Sequence, residues 1–91
     1  MSVKIAGIEF DRVDYDSAAD VLYLHVGEPG SAVDWDESEE GHALRYGADG
    51  ALVGISIVNA RRILDADGAI AITLPKQRVV ARDLGAVLAV A

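Results

Sequence analysis

The 91-residue chain is predicted to be an α+β domain: a small antiparallel β-meander sheet followed by one C-terminal helix. Three observations carry this. Apolar residues recur with period two in several short runs, as in half-buried strands. Turn-forming residues separate those runs. After Pro75 the spacing changes, and Val80, Leu84, Val87 and Leu88 fall at helical intervals. The length suits a single domain, residues 1–91, with one modest core.

In "VKIAGIEFDRVDYD" (3–16), Ile8 and Phe10, then Val13 and Tyr15, alternate with charged neighbours. A break near Asp11 and Arg12 joins the two registers. "DSAAD" (16–20) is a turn, because Asp and Ser side chains bond to nearby backbone. "VLYLHV" (21–26) is a strand with Leu22, Leu24 and Val26 on one face and Val21, Tyr23 and His25 on the other, both faces at least partly covered. "GEPGS" (27–31) is a loop, and the acidic stretch that follows leads into a strand at about Ala43–Tyr46. "GADG" (47–50) closes a hairpin with Gly50 at positive φ, and "ALVGISIV" (51–58) returns as a strand. "NARRIL" (59–64) forms a turn of helix, "DADG" (65–68) another turn, and "AIAITLP" (69–75) a strand stopped by Pro75. Two tyrosines, Tyr15 and Tyr46, each close a strand before a short turn and an apolar strand, which supports one antiparallel meander.

Composition limits the chemistry. Hydrophobic residues make up 52% and charged residues 25%, the balance of a folded protein. No cysteine is present, which removes disulfides and thiolate metal sites and fits a cytoplasmic setting. Charges interrupt every apolar run well before the roughly 20 residues of a membrane span, so no membrane partner is expected. The net charge of −7 argues against nucleic acid, whose binding rests on Lys and Arg neutralising phosphates. That charge is uneven, −9 over residues 1–59 and +2 over residues 60–91. Such fields would let one copy's C-terminal segment lie on another's acidic surface or on its own, and the acidic surface could mask a basic partner; a solvated acidic surface, which favours solubility, is the plainer reading.

No residue carries a catalytic, cofactor-binding or metal-binding signature. "DWDESEE" places Asp34, Asp36 and Ser38 at the first, third and fifth positions of a calcium loop, but Glu39 stands where Gly is required and Arg45 where a bidentate Glu is required. His25 and His42 lie in different strands without a ligand spacing, and each is expected at a rim or partly buried. Asp16 and Asp20 bracket a turn, where accepting backbone N–H bonds is their usual task. Trp35, flanked by Asp34, Asp36 and Glu37, is expected to fold onto the sheet, with exposure to a partner as the alternative. The candidate binding surface is Asp16, Asp20, Tyr23, His25, Trp35 and His42.

"VDYDSAADVLYLHV" together with "DGALVGISIVNARRIL" resembles the small prokaryotic family catalogued as domain of unknown function 2283. The matching residues are Tyr15, Asp16, Ala19, Asp20, Leu22, Tyr23, Asp49, Gly50, Val53, Gly54 and Ile55, within a β-rich core at about 13–64, leaving a C-terminal strand and helix at 65–91. The resemblance implies a compact β-rich domain and no established activity. It also implies an acidic residue in the strand after Val-Gly-Ile, where this chain has Ser56. The expected function is a non-enzymatic interaction module, a homodimer without cofactor. The alternatives are a small-molecule-binding or hydrolytic domain using Tyr23, His25 and the acidic turn, or an antitoxin-like partner of a basic toxin. The apolar C-terminal segment is expected to dock across a two-fold axis.

Overall fold

A computed structural model describes residues 2–28, 30, 32–75, 78–82 and 84–90. The strands are β1 (Val3–Ile5), β2 (Ile8–Phe10), β3 (Arg12–Asp16), β4 (Val21–His25), β5 (Asp34–Glu37), β6 (Ala43–Tyr46) and β7 (Leu52–Val58). Helix α1 (Ala60–Asp67), the hairpin β8 (Ile70–Thr73) and β9 (Arg78–Ala81), and helix α2 (Leu84–Val90) complete the chain. Strands β3 to β7 form one antiparallel sheet in the order β3-β4-β7-β6-β5, and β1-β2 and β8-β9 are separate two-stranded hairpins. No helix among the described residues is long and apolar enough to cross a membrane.

Alternation decides which side of the large sheet is buried. Leu22, Leu24, Ile55, Ile57 and Leu44 point to one face and join Phe10, Val3, Ile5, Ala60, Ile70, Ile72, Leu74, Leu84 and Leu88 in one apolar cluster. Thus both small hairpins and both helices contribute to the core on the same side of the sheet.

The α+β class and the strands at 21–25, 43–46 and 52–58 match the sequence reading, and several details depart from it. The break near Asp11 is present, but residues 3–10 form a hairpin, turned by Ala6 and Gly7 at φ 56° and 78°. Ala-Gly is a weak turn signal, and pairing Val3 with Phe10 and Ile5 with Ile8 preserves the alternation through the turn. The acidic run is strand β5, an edge whose side chains are all exposed. "DAD" continues α1 instead of turning, and the helix ends at Gly68, in the left-handed conformation with its N–H on the Leu64 carbonyl. The described residues therefore include two helices. Val80 belongs to β9, because α2 begins only at Leu84. Leu84 and Leu88 are buried by their own chain.

Candidate functional site

The turn between β3 and β4 is a structural device. Asp16 Oδ1 accepts the N–H groups of Ala18 and Ala19, both at 3.1 Å, closing an Asx turn. Asp20, left-handed at φ 56°, turns its carboxylate toward α1, 40 residues further along the chain. Its Oδ1 accepts Arg61 N–H at 2.8 Å, its Oδ2 accepts Arg62 N–H at 3.2 Å, and its carbonyl accepts Ala60 N–H at 3.1 Å. Asn59, at the N-cap position, makes no side-chain cap, so Asp20 satisfies the first N–H groups of the helix in its place. Tyr15 Oη donates to Asp20 Oδ1 at 2.8 Å. Partial desolvation would raise the Asp20 pKa, but the Arg61 N–H, the Tyr15 hydroxyl and the Arg62 N–H together lower it. Sharing a proton with that carboxylate pushes the Tyr15 hydroxyl up. Tyr46, the parallel tyrosine, has no such partner among the described residues, and burial, then Asp36 and Asp34, raise its pKa.

The second face of the five-stranded sheet is open. Cross-strand pairing sets its side chains in rows: Arg12, His25, Gly54, Arg45 and Trp35 in one, and Asp14, Tyr23, Ser56, Ala43 and Glu37 in the next. Asp16, Val21 and Val58 begin a third. A concavity of about 540 Å³ on this face is lined by Asp11, Arg12, Val13, Asp14, Tyr23, His25 and Arg45. All of them except Asp11 are in the sheet.

Gly54 creates the space that His25 fills. A Cβ at position 54 would stand 2.9 Å from His25 Cδ2 and 3.4 Å from both Arg45 Cβ and the Leu24 carbonyl oxygen. With the ring laid against the sheet there, His25 is only 5% exposed, and neither ring nitrogen has a hydrogen-bond partner among the described residues. Arg45 Nη2 donates to Ser56 Oγ at 2.6 Å. Arg12 forms an exposed ion pair with Glu28 at 3.2 Å. Asp11 Oδ1 accepts Gly27 N–H at 2.8 Å, and that bond holds its carboxyl below the usual range. Tyr23 is 39% exposed in the middle of the face, and Trp35 is 64% exposed at its rim.

The candidate residues from sequence therefore separate. Tyr23, His25 and Trp35 share the open face. Trp35 does not fold onto the sheet: its strand is the outer edge, and among the described residues no element covers that side. Asp16 and Asp20 serve the turn and the helix cap. His42 is buried on the helical side, beside Ile63, Ala71 and Val80, so the two histidines do not meet. Neither histidine is at a rim: Gly54 lets the ring of His25 sink against the sheet, and His42 lies under α1 and β8. His42 Nδ1 accepts Val58 N–H at 3.1 Å, while Nε2 faces the Ala71 carbonyl and Glu40 without completing a hydrogen bond. Burial lowers the His42 pKa, and Glu40 and Ala71 only partly oppose this.

Arg12, Asp14, Arg45 and Ser56 complete the open face and were missed. Only part of their signal was available: each occupies the polar phase of an alternating strand, but which strands lie side by side is not written in that pattern. The calcium-like run is extended, with Asp34 Oδ1 and Asp36 Oδ1 each accepting the next residue's N–H and Ser38 Oγ accepting His42 N–H. Among the described residues, no group of three His, Cys, Asp or Glu side chains converges as metal ligands would.

The model of a family described as "Protein of unknown function (DUF2283)" matches residues 12–61, which run from the start of β3 into α1. No curated protein and no solved structure matches the chain.

Proposed function

The chain belongs to the DUF2283 family, and we propose that it is a non-enzymatic protein-interaction module whose working surface is the open face of the five-stranded sheet. One observation carries this reading: the face combines exposed aromatic residues, Tyr23 and Trp35, with ordered rows of charge, and no other element among the described residues covers it. The sheet edges are poor docking sites by comparison. Charged side chains on β3 (Arg12, Asp14, Asp16) and on β5 (Asp34, Asp36, Glu37) discourage strand addition.

The geometry supports binding over hydrolysis. Ser56 Oγ is engaged by Arg45, and His25, the nearest base by sequence reading, bonds to no hydroxyl. A nucleophile activated by a base needs that hydrogen bond. His42, required alongside Tyr23 and His25 for a ligand site built from the predicted residues, lies on the opposite side of the sheet. The lack of cysteine fits work in the cytoplasm. The test is affinity capture from the native host using the wild-type chain and Tyr23→Arg, with mass spectrometry of what is retained. Proteins held by the wild type and lost by the variant are expected. Equal retention by both would place the interaction elsewhere and overturn the reading.

A further inference from the structure

Building on the open-face reading, we propose that the occupant of the face is a second copy of this chain, related by a two-fold axis that runs across the strands between the two long rows. The rows are opposite in charge. Arg12 and Arg45 stand in one without an acid, and Asp14 and Glu37 stand in the other without a base. Consecutive rows are about 7 Å apart along a strand, and sheets packed face to face stand about 10 Å apart with nearly aligned strands.

Near-alignment leaves two directions for a two-fold axis lying between the sheets. If it ran along the strands, over the central β7, it would lay β3 on β5 and set Asp14 against Glu37 of the second copy, twice. If it runs across the strands, it exchanges the rows. Arg12 then faces Asp14 of the second copy, the His25 ring lies over Tyr23, and Arg45 lies beside Ala43 and Glu37, each contact made twice. Like charges set against each other are strongly disfavoured and opposite charges fix register, so the charge pattern selects the second axis. Arg12 must exchange Glu28 for its new partner, at little cost because that ion pair is exposed.

The size of the face sets the strength of the pair. Five strands at about 4.8 Å and about five residues at about 3.4 Å make a sandwich burying on the order of 1,000 Å² in total. Interfaces of that size are weak, so half-association is expected at roughly tens of micromolar.

Sedimentation velocity of the full chain over about 5 to 500 µM at low salt tests this. The mass should rise from 9.6 kDa toward twice that value. Asp14→Arg should weaken association about tenfold, because it faces Arg12 of the second copy. Arg12→Asp should do the same, and the double variant Arg12→Asp with Asp14→Arg should return to within about twofold of wild type, since the axis pairs these two positions. Strengthening by Asp14→Arg alone would indicate the along-strand axis and overturn the arrangement. A wild type that stays monomeric throughout overturns self-pairing. If such a monomer still captures host protein in a Tyr23-dependent way, the open-face reading stands without it. A dimer indifferent to both the charge swap and Tyr23→Arg overturns the two together.

Discussion

Replacing Asp20 with Ala should be the most damaging change available on the polar surface of the family-matched segment, and its size follows from the bonds lost. Arg61 and Arg62 lose the acceptor of their N–H groups, but both sites are exposed, so water substitutes and the loss is that of a helix cap, about 0.5–2 kcal/mol. The bond from Tyr15 adds about 1 kcal/mol. Alanine also tolerates the left-handed backbone at φ 56° less well than aspartate, adding roughly 0.5–1 kcal/mol. The total is about 2–4 kcal/mol. For a domain of this size that is a fall in Tm of roughly 10–20 °C, or about 2 M in the urea midpoint, read by far-ultraviolet circular dichroism. Asp20→Asn keeps an acceptor and the backbone preference and should lose only about 1 kcal/mol, and Tyr15→Phe should lose less than Asp20→Ala. An Ala variant within about 0.5 kcal/mol of wild type would show that the carboxylate does not hold the helix start, and the structural account of the Tyr-Asp signature would fall with it.

Gly54→Ala should cost about 1–3 kcal/mol because the buried His25 ring stands 2.9 Å from the new Cβ, and combining it with His25→Ala should recover part of that loss in a double-mutant cycle. Gly50→Val, at φ 82° with open space around it, should cost roughly 1–3 kcal/mol from backbone strain alone; an unchanged melting midpoint would contradict the turn assignment. Acid should destabilise the fold in two overlapping stages. His42 has a folded pKa below 6.5, so the unfolded chain takes up its proton first and stability starts to fall as pH drops through 6.5. Glu40 is held at about 2 because, against partial desolvation, Thr73 donates to it from both Oγ1 at 2.6 Å and N–H at 2.8 Å; its contribution is complete above 4.5 and is lost as pH falls toward 2. Since Glu40 is exposed, about 1 kcal/mol is at stake after screening, and Glu40→Gln should flatten the lower stage of a pH-stability curve. Leu88→Ala should cost about 2–4 kcal/mol by opening a cavity under α2, with a midpoint independent of protein concentration; concentration dependence of that loss would mean the helix docks on another copy after all.

Alternation made the large sheet legible, because a strand with one covered face must place Leu22 and Leu24 on one side and Tyr23 on the other. It could not show the β1-β2 hairpin, since a two-residue turn preserves the period, nor could it separate β9 from a helix when Val80 suits either spacing. The edge strand β5 was hidden by its composition: all four of its residues are exposed, so no apolar face marks it. The candidate site was half legible. The parity of "VLYLHV" put Tyr23 and His25 on one face, but placing Arg45 and Ser56 beside them required the strand order, which local pattern does not encode. The helix cap by Asp20 was illegible for the same reason, spanning 40 residues with an ordinary Asn at the expected cap position.

The residues that carry the family resemblance divide by location, and the division bears on function. Tyr15, Asp16, Ala19 and Asp20 build the turn and cap the helix, Asp49 and Gly50 make the hairpin, and Leu22 and Ile55 fill the core. Tyr23 and Gly54 lie in the two long rows of the open face. The signature thus specifies a scaffold and one recess, and leaves most of the face free to differ. Ser56 is where the resemblance implies an acid, and it lies on that face with its hydroxyl against Arg45. A carboxylate there would form an ion pair with Arg45 and add a third negative charge to the row of Asp14 and Glu37. With serine, Arg45 keeps most of its donors unspent toward the face, and the two rows remain balanced at two charges each. Balanced rows of opposite sign suit pairing with an identical surface, whereas an acidic excess would suit a basic one. Ser56→Glu should therefore weaken self-association while strengthening capture of basic proteins, and a Ser56→Glu chain that pairs with itself as well as wild type would break the link between row charge and partner.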